Sequence, residues 1–172
     1  ALESSVFAQG LPIPANAEAA RRMIGAIERV GAVPAISAVS AGKAVFGLSD
    51  EELARFLARD GVTTLTARDI PVAMLQGRDG ATTVAGALSL MALSPIRVFA
   101  TGGIGGVHRE PQFDESADLA ELSRTPVIVS TRGHEHHAYG HYLGGTVARD
   151  SYPDRIVIYQ DTLERDFGHD PD

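Results

Sequence analysis

Cysteine is absent from the 172 residues. That absence excludes disulfide frameworks, thiol nucleophiles and thiolate-ligated zinc. Lysine is nearly absent as well: Lys43 is the only one among 15 basic residues, and all the others are arginine. No apolar run approaches the ~20 residues that a membrane-spanning helix needs. Residues 1–5 carry an acid and no basic stretch, so no secretory leader is expected. Positive charge is scarce overall, with 15 basic against 22 acidic residues and a net charge of −7. Such a balance argues against a nucleic-acid surface and leaves room for local arginine sites that hold phosphate. Together these absences point to the cytoplasm, with neither nucleic acid nor membrane as partner.

What is present is an ordinary globular composition, 44% hydrophobic and 22% charged. A chain of this length buries roughly two-thirds of its unfolded surface and needs no metal merely to fold. Residues 2–8 read as a short strand, stopped by Leu11-Pro-Ile-Pro14. Asn16 is placed to cap a helix running to about Val30, with Ala19, Met23, Ile27 and Val30 on its apolar face and Gly31 ending it. Residues 32–39 read as a buried strand, and Ala41-Gly-Lys43 as the turn of a hairpin whose second arm is 44–46. Ser49-Asp-Glu-Glu52 has the pattern of a capping box opening a helix with Leu53, Phe56 and Leu57 inward. Further strands are expected at 63–66, 96–100, 126–130 and 153–159, and helices at 81–93 and 118–123. Strands alternating with helices indicate an α/β domain. The texture changes near residue 131, which divides the chain into an α/β domain over 1–131 and a divergent tail over 132–172.

Three stretches carry candidate chemistry. Val98-Phe-Ala-Thr-Gly-Gly-Ile-Gly-Gly-Val-His-Arg109 places four glycines just past a buried strand. Backbone N–H groups in such a loop can form an anion-binding concavity, and ligands of open α/β sheets tend to lie off the carboxyl ends of strands. A flexible connection without a ligand is the alternative. Phe113-Asp-Glu-Ser-Ala-Asp118 holds three carboxylates in five residues, suited either to a hard cation such as Mg²⁺ or Mn²⁺ or to a solvated turn that caps the next helix. Glu3 is an acid among apolar residues; burial would raise its pKa toward general-acid duty, and an edge position facing water would not. A fourth stretch, His134-Glu-His-His137 with His141, invites a zinc reading. Ala138 stands where the motif His-Glu-x-x-His would need its second histidine, so a solvated loop competes with it.

The set resembles the pseudouridine-5′-phosphate glycosidases. The matching pieces are Leu2-Glu-Ser4, Gly10-Leu-Pro-x-Pro14, Gly31-Ala-Val-Pro-Ala35, Arg68-Asp-Ile-Pro71, Gly80-Ala-Thr-Thr-Val-Ala85, Val98 to Arg109 and Phe113 to Leu119, in order over about residues 1–130. The resemblance implies an α/β/α layered domain with a central mixed sheet, here truncated relative to the family, and a homotrimer. It implies a Mn²⁺-assisted, reversible cleavage of the C–C glycosidic bond of pseudouridine 5′-phosphate to uracil and ribose 5-phosphate. Carried over by motif, Glu3 is the proton-transfer residue and Asp114 the metal ligand, while Val84, Ser116, Ala117 and Asp118 contact the substrate. The family uses a lysine to form an imine with the opened ribose. Its place falls here on Glu135, and a second substrate lysine falls on Thr64. The missing amine favours a second reading, a non-catalytic relative that binds sugar phosphate and metal. Residues 137–172 resemble, more weakly, the stretch before the zinc helix of a small bacterial zincin-like metallopeptidase family, without its zinc motif; this is the basis of a third reading, a zinc-binding peptidase-like fragment.

Overall fold

A computed structural model describes residues 1–106 and 115–131, together with the backbone of a strand at Ile156–Gln160. The His cluster, Asp114, Glu135 and the zincin-like stretch lie outside the described residues, apart from that strand.

The elements follow one another as α1 (Ala15–Arg29), β1 (Ser37–Ser40), β2 (Lys43–Phe46), α2 (Asp50–Ala58), β3 (Thr63–Leu65), α3 (Ile70–Leu75), β4 (Gly80–Thr82), α4 (Val84–Met91), β5 (Val98–Thr101), α5 (Ala117–Arg124), β6 (Val127–Thr131) and β7 (Ile156–Gln160). A single π-turn, Val6–Gly10, precedes α1. Strands β2–β1–β4–β3 form a mixed sheet: β1 runs antiparallel to both β2 and β4, and β3 runs parallel to β4. Strands β5–β6–β7 form a parallel set. Leu2 joins the two through parallel bridges to Ile36, just ahead of β1, and to Ala100 in β5.

Strand alternation explains the layering. Phe99, Val127 and Val129 point to one face of β5–β6, where Val84, Leu88, Met91 and Leu122 of α4 and α5 bury them. Ala100 points the other way and meets Leu2, Phe7, Ala20 and Ile36, a cluster covered by Met23, Ile24 and Ile27 of α1. The result is the α/β/α arrangement with a mixed sheet at its centre. Among the described residues no helix is long and apolar enough to cross a membrane.

The buried strand expected at 32–39 is confined to Ser37–Ser40, with Val33 exposed, and three further local expectations need correction. Residues 2–8 do not form a strand: after Leu2 the chain turns, and the N–H groups of Phe7 and Ala8 both donate to the carbonyl of Ser4. Asn16 does not cap α1, whose N-cap is Pro14; the buried Asn16 amide instead donates to the carbonyls of Phe7 and Leu57 at 3.0 and 2.9 Å. The apolar run 81–93 is divided between β4 and α4, because Thr83 caps α4 by accepting from the Gly86 N–H. The capping box of α2 and the hairpin turn at Ala41 and Gly42, both left-handed, are as the sequence predicts.

Candidate active site

Glu3 sits at the seam between the two sheets. The segment before it is pinned by buried hydroxyls. Ser4 Oγ donates to the Ser37 carbonyl at 2.7 Å and accepts from the Thr82 N–H at 2.8 Å. The Ser37 hydroxyl donates to the Leu2 carbonyl at 2.9 Å. These bonds tie residues 2–4 to β1 and β4, so the Glu3 side chain has one direction left to it, toward the end of β5.

There its carboxyl meets the glycine-rich loop. Thr101 Oγ1 lies 2.5 Å from Oε1, and the Ser5 hydroxyl donates to Oε2 at 2.9 Å. The Glu3 residue is only 9% exposed. Burial pushes its carboxyl above the ordinary glutamate value; the hydroxyls of Thr101 and Ser5 oppose that rise, the charge of Asp118 adds to it, and the Gly102 N–H opposes it. A carboxyl raised by burial and held by donors is better suited to give and take a proton than an exposed glutamate.

Asp118 acts on the same loop from α5. Its Oδ1 accepts from the Ala85 N–H at 2.8 Å and its Oδ2 from the Gly105 N–H at 2.9 Å. One side chain therefore clamps the loop to the first turn of α4. Ser116 caps α5 by accepting from the Asp118 N–H at 3.2 Å, and its own N–H donates to the Gly106 carbonyl at 2.9 Å. Gly105 leaves no room for a side chain: a Cβ there would stand 2.2 Å from Ser116 Oγ. The sequence leaves open a loop whose N–H groups hold an anion and a connection without a ligand. In the described part, those N–H groups meet the protein's own carboxyl groups, Glu3 at Gly102 and Asp118 at Gly105.

The structure thus brings Glu3, Ser116 and Asp118 around one loop, with the backbone following Val84 tied to Asp118. The Val84 side chain is turned away and buried with Phe99, Ile104 and Leu122. Ala117 faces a neighbouring groove of about 810 Å³, lined also by Thr66, Arg68, Ser89, Glu115 and Arg124. Thr101, Ser4 and Ser5 have no role in the sequence reading. Their hydroxyls act on partners 98, 33 and 2 residues away, and only the Ser5 contact is local enough to be read from spacing. No group of three or more potential metal-ligating side chains occurs among the described residues. Both Asp118 oxygens are engaged by backbone N–H groups, so the described site does not by itself supply the donor set of a Mn²⁺ ion.

The fold that holds these residues has known counterparts. Residues 1–137 match the family model described as indigoidine synthase A like protein, and the chain belongs to that family. Curated relatives are named pseudouridine-5′-phosphate glycosidases. The protein of that name from Gemmatimonas aurantiaca is 64% identical over 133 residues, which cover 77% of this chain and 44% of the relative. The one from Escherichia coli K12 is 48% identical over 137 residues, again 77% of this chain and 44% of the relative. The chain therefore spans less than half the length of these relatives. Among solved structures, an indigoidine synthase A-like protein from Thermotoga maritima superposes with a TM-score of 0.73 at 26% identity, covering 95% of this chain and 62% of the other. The prealnumycin C-glycosynthase, solved in complex with ribulose 5-phosphate, gives a TM-score of 0.72 at 26% identity over 95% of this chain and 68% of its own.

Proposed function

We propose that the chain carries the acid–base half of a pseudouridine-5′-phosphate glycosidase, which with water cleaves pseudouridine 5′-phosphate reversibly to uracil and ribose 5-phosphate. The observation that carries this reading is the Glu3 carboxyl, buried, raised in pKa and held between Thr101, Ser5 and the Gly102 N–H. In relatives up to 64% identical the name implies breaking a carbon–carbon bond to a base. That chemistry needs a proton delivered to carbon, a task for which a carboxyl raised in pKa by burial is suited. Asp118 then holds the loop and the α4 terminus in register, and Ser116 and Ala117 present the start of α5 to the sugar phosphate. The groove beside Ala117 has room for a pentose phosphate; Arg68 lines it, while Arg124 there is paired with Glu121. A Mn²⁺ ion bound through Asp114, a homotrimeric assembly and a cytoplasmic setting belong to the same proposal.

A second reading has its own support. The resemblance places the imine-forming lysine at Glu135, and the chain's only lysine, Lys43, lies on the β2 hairpin. A carboxylate cannot form an imine, which favours a relative that binds sugar phosphate without cleaving the bond. The deciding experiment is uracil release from pseudouridine 5′-phosphate, with and without Mn²⁺, against Glu3→Ala. Release above that control supports the glycosidase. No release from a folded protein that still binds ribose 5-phosphate selects the binding-only relative, and Glu135→Lys then tests whether the missing amine is the cause.

A further inference from the structure

Thr101 has one hydroxyl proton and two acceptors. Its Oγ1 is 2.5 Å from Glu3 Oε1 and 2.9 Å from the carbonyl oxygen of Gly103, and the Gly103 N–H donates back to Oγ1 at 3.3 Å. A single proton cannot serve both acceptors at once. An ionised Glu3 is an acceptor only, so the Thr101 proton goes to it and the Gly103 carbonyl loses that donor. A protonated Glu3 has its own proton to give. With Ser5 still donating to Oε2, the proton is carried on Oε1. Glu3 then donates to Thr101 Oγ1, and the threonine hydroxyl turns to Gly103.

We propose that Thr101 is a positioning residue whose hydroxyl rotor couples the proton on Glu3 to the Gly103 peptide of the glycine-rich loop. No covalent bond in Thr101 changes: Glu3 releases its proton to the reacting group, and the threonine O–H swings from the Gly103 carbonyl to Oε1 to stabilise the new charge. The loop turn is tied down while the acid is loaded and is freed once the acid has been spent. The same loop is gripped at Gly105 by Asp118, so the freed segment is short and hinged at a fixed point. Asp118 is the charged group acting on Glu3 among the described residues; the other partners, Ser5 and the Gly102 N–H, are neutral donors. The catalytic meaning rests on Glu3 as the proton-transfer group, whereas the coupling itself is a property of the free protein.

The test is a pH titration of isotopically labelled protein by carbon-13 NMR, following the Glu3 carboxyl and the Gly103 carbonyl in wild type, Glu3→Gln, Thr101→Ser and Thr101→Val. In wild type and Thr101→Ser the Gly103 resonance is expected to move with the midpoint of Glu3. In Glu3→Gln it is expected to stay flat across that range. In Thr101→Val it is also expected to stay flat, while the Glu3 midpoint moves further up for want of a donor. A Gly103 resonance that ignores the Glu3 titration in wild type overturns the proposal, as does one that follows it unchanged in Thr101→Val. Should the valine variant not fold, wild type against Glu3→Gln and Thr101→Ser still decides. No substrate enters the measurement, so a protein that releases no uracil can still show the coupling, and an active enzyme can still lack it.

Discussion

Glu3 and Asp118 contact the same glycine-rich loop, one at Gly102 and the other at Gly105, and the negative charge of Asp118 opposes the ionisation of Glu3. The two residues are supplied by opposite ends of the described chain. Each engages backbone N–H groups that the loop would otherwise expose to an incoming anion.

Removing the Asp118 charge should therefore lower the Glu3 midpoint. Asp118→Asn is expected to shift the Glu3 carboxyl titration toward the ordinary glutamate value. It also replaces one acceptor by an NH₂ that faces a backbone N–H. Because it breaks a charge-assisted bond, a loss of about 1.5–3 kcal/mol in urea denaturation is expected. An unmoved Glu3 midpoint would show that the two carboxylates do not interact.

The raised pKa of Glu3 has a consequence for stability. Its folded value lies above the ordinary 4.5, so between those values the folded protein binds more protons than the unfolded one. The contribution is complete below the ordinary value and is lost as the pH rises through the folded value. Glu3→Gln should flatten that part of the stability–pH curve and leave the variant at least as stable as wild type in mildly alkaline solution. A variant whose curve keeps the wild-type slope would place the titration on another group.

Gly105→Ala puts a methyl group 2.2 Å from Ser116 Oγ and 2.6 Å from its Cβ. An overpacking cost of roughly 1–3 kcal/mol is expected. Adding Ser116→Gly should recover most of it, since glycine is a tolerable N-cap and removes both clashing atoms. Thermal unfolding of the two single variants and the double variant measures the coupling; strictly additive effects would mean that the strain is relieved elsewhere.

Ser4→Ala leaves the Thr82 N–H without its partner in the buried site. A cost of about 1–3 kcal/mol follows from an unsatisfied buried donor. The informative readout is again Glu3, whose carboxyl resonance should broaden or shift as residues 2–4 loosen. Ser4→Thr is a poor rescue, because its added methyl has to fit among fully buried atoms.

Much of the frame could be read locally. The capping box at Ser49 and Glu52 forms because both partners lie within one turn, with the Glu52 N–H donating to Ser49 Oγ at 3.2 Å. The strand before the glycines announces itself by composition, although in it only Phe99 and Thr101 are buried and Val98 is exposed. By contrast, the run 81–93 is apolar throughout, so no periodicity marks where strand gives way to helix; the signal was Thr83, a capping residue inside the run. Residues 2–8 fail as a strand because the Ser4 hydroxyl bonds to β1 and β4, partners that spacing does not reveal. At the site, the resemblance singles out Glu3 and Asp118, but their shared loop emerges only when residues 3, 85, 102, 105 and 118 are brought together. Thr101, whose hydroxyl meets Glu3, lies just past the strand expected at 96–100 and reads in the sequence only as the lead-in to the glycines.

Leu2 bridges the two sheets with a single residue on each side, and Glu3 is the next residue along. Its contact with Thr101 spans 98 positions of the chain. Closing a contact that distant costs loop entropy, which the joining of the two sheets has to offset. The acid is thus assembled by the same event that zips the halves of the molecule together. A species with both sheets formed but unjoined would look nearly native by secondary structure and lack the Glu3–Thr101 contact, so the Glu3 carboxyl reports whether the two sheets have met.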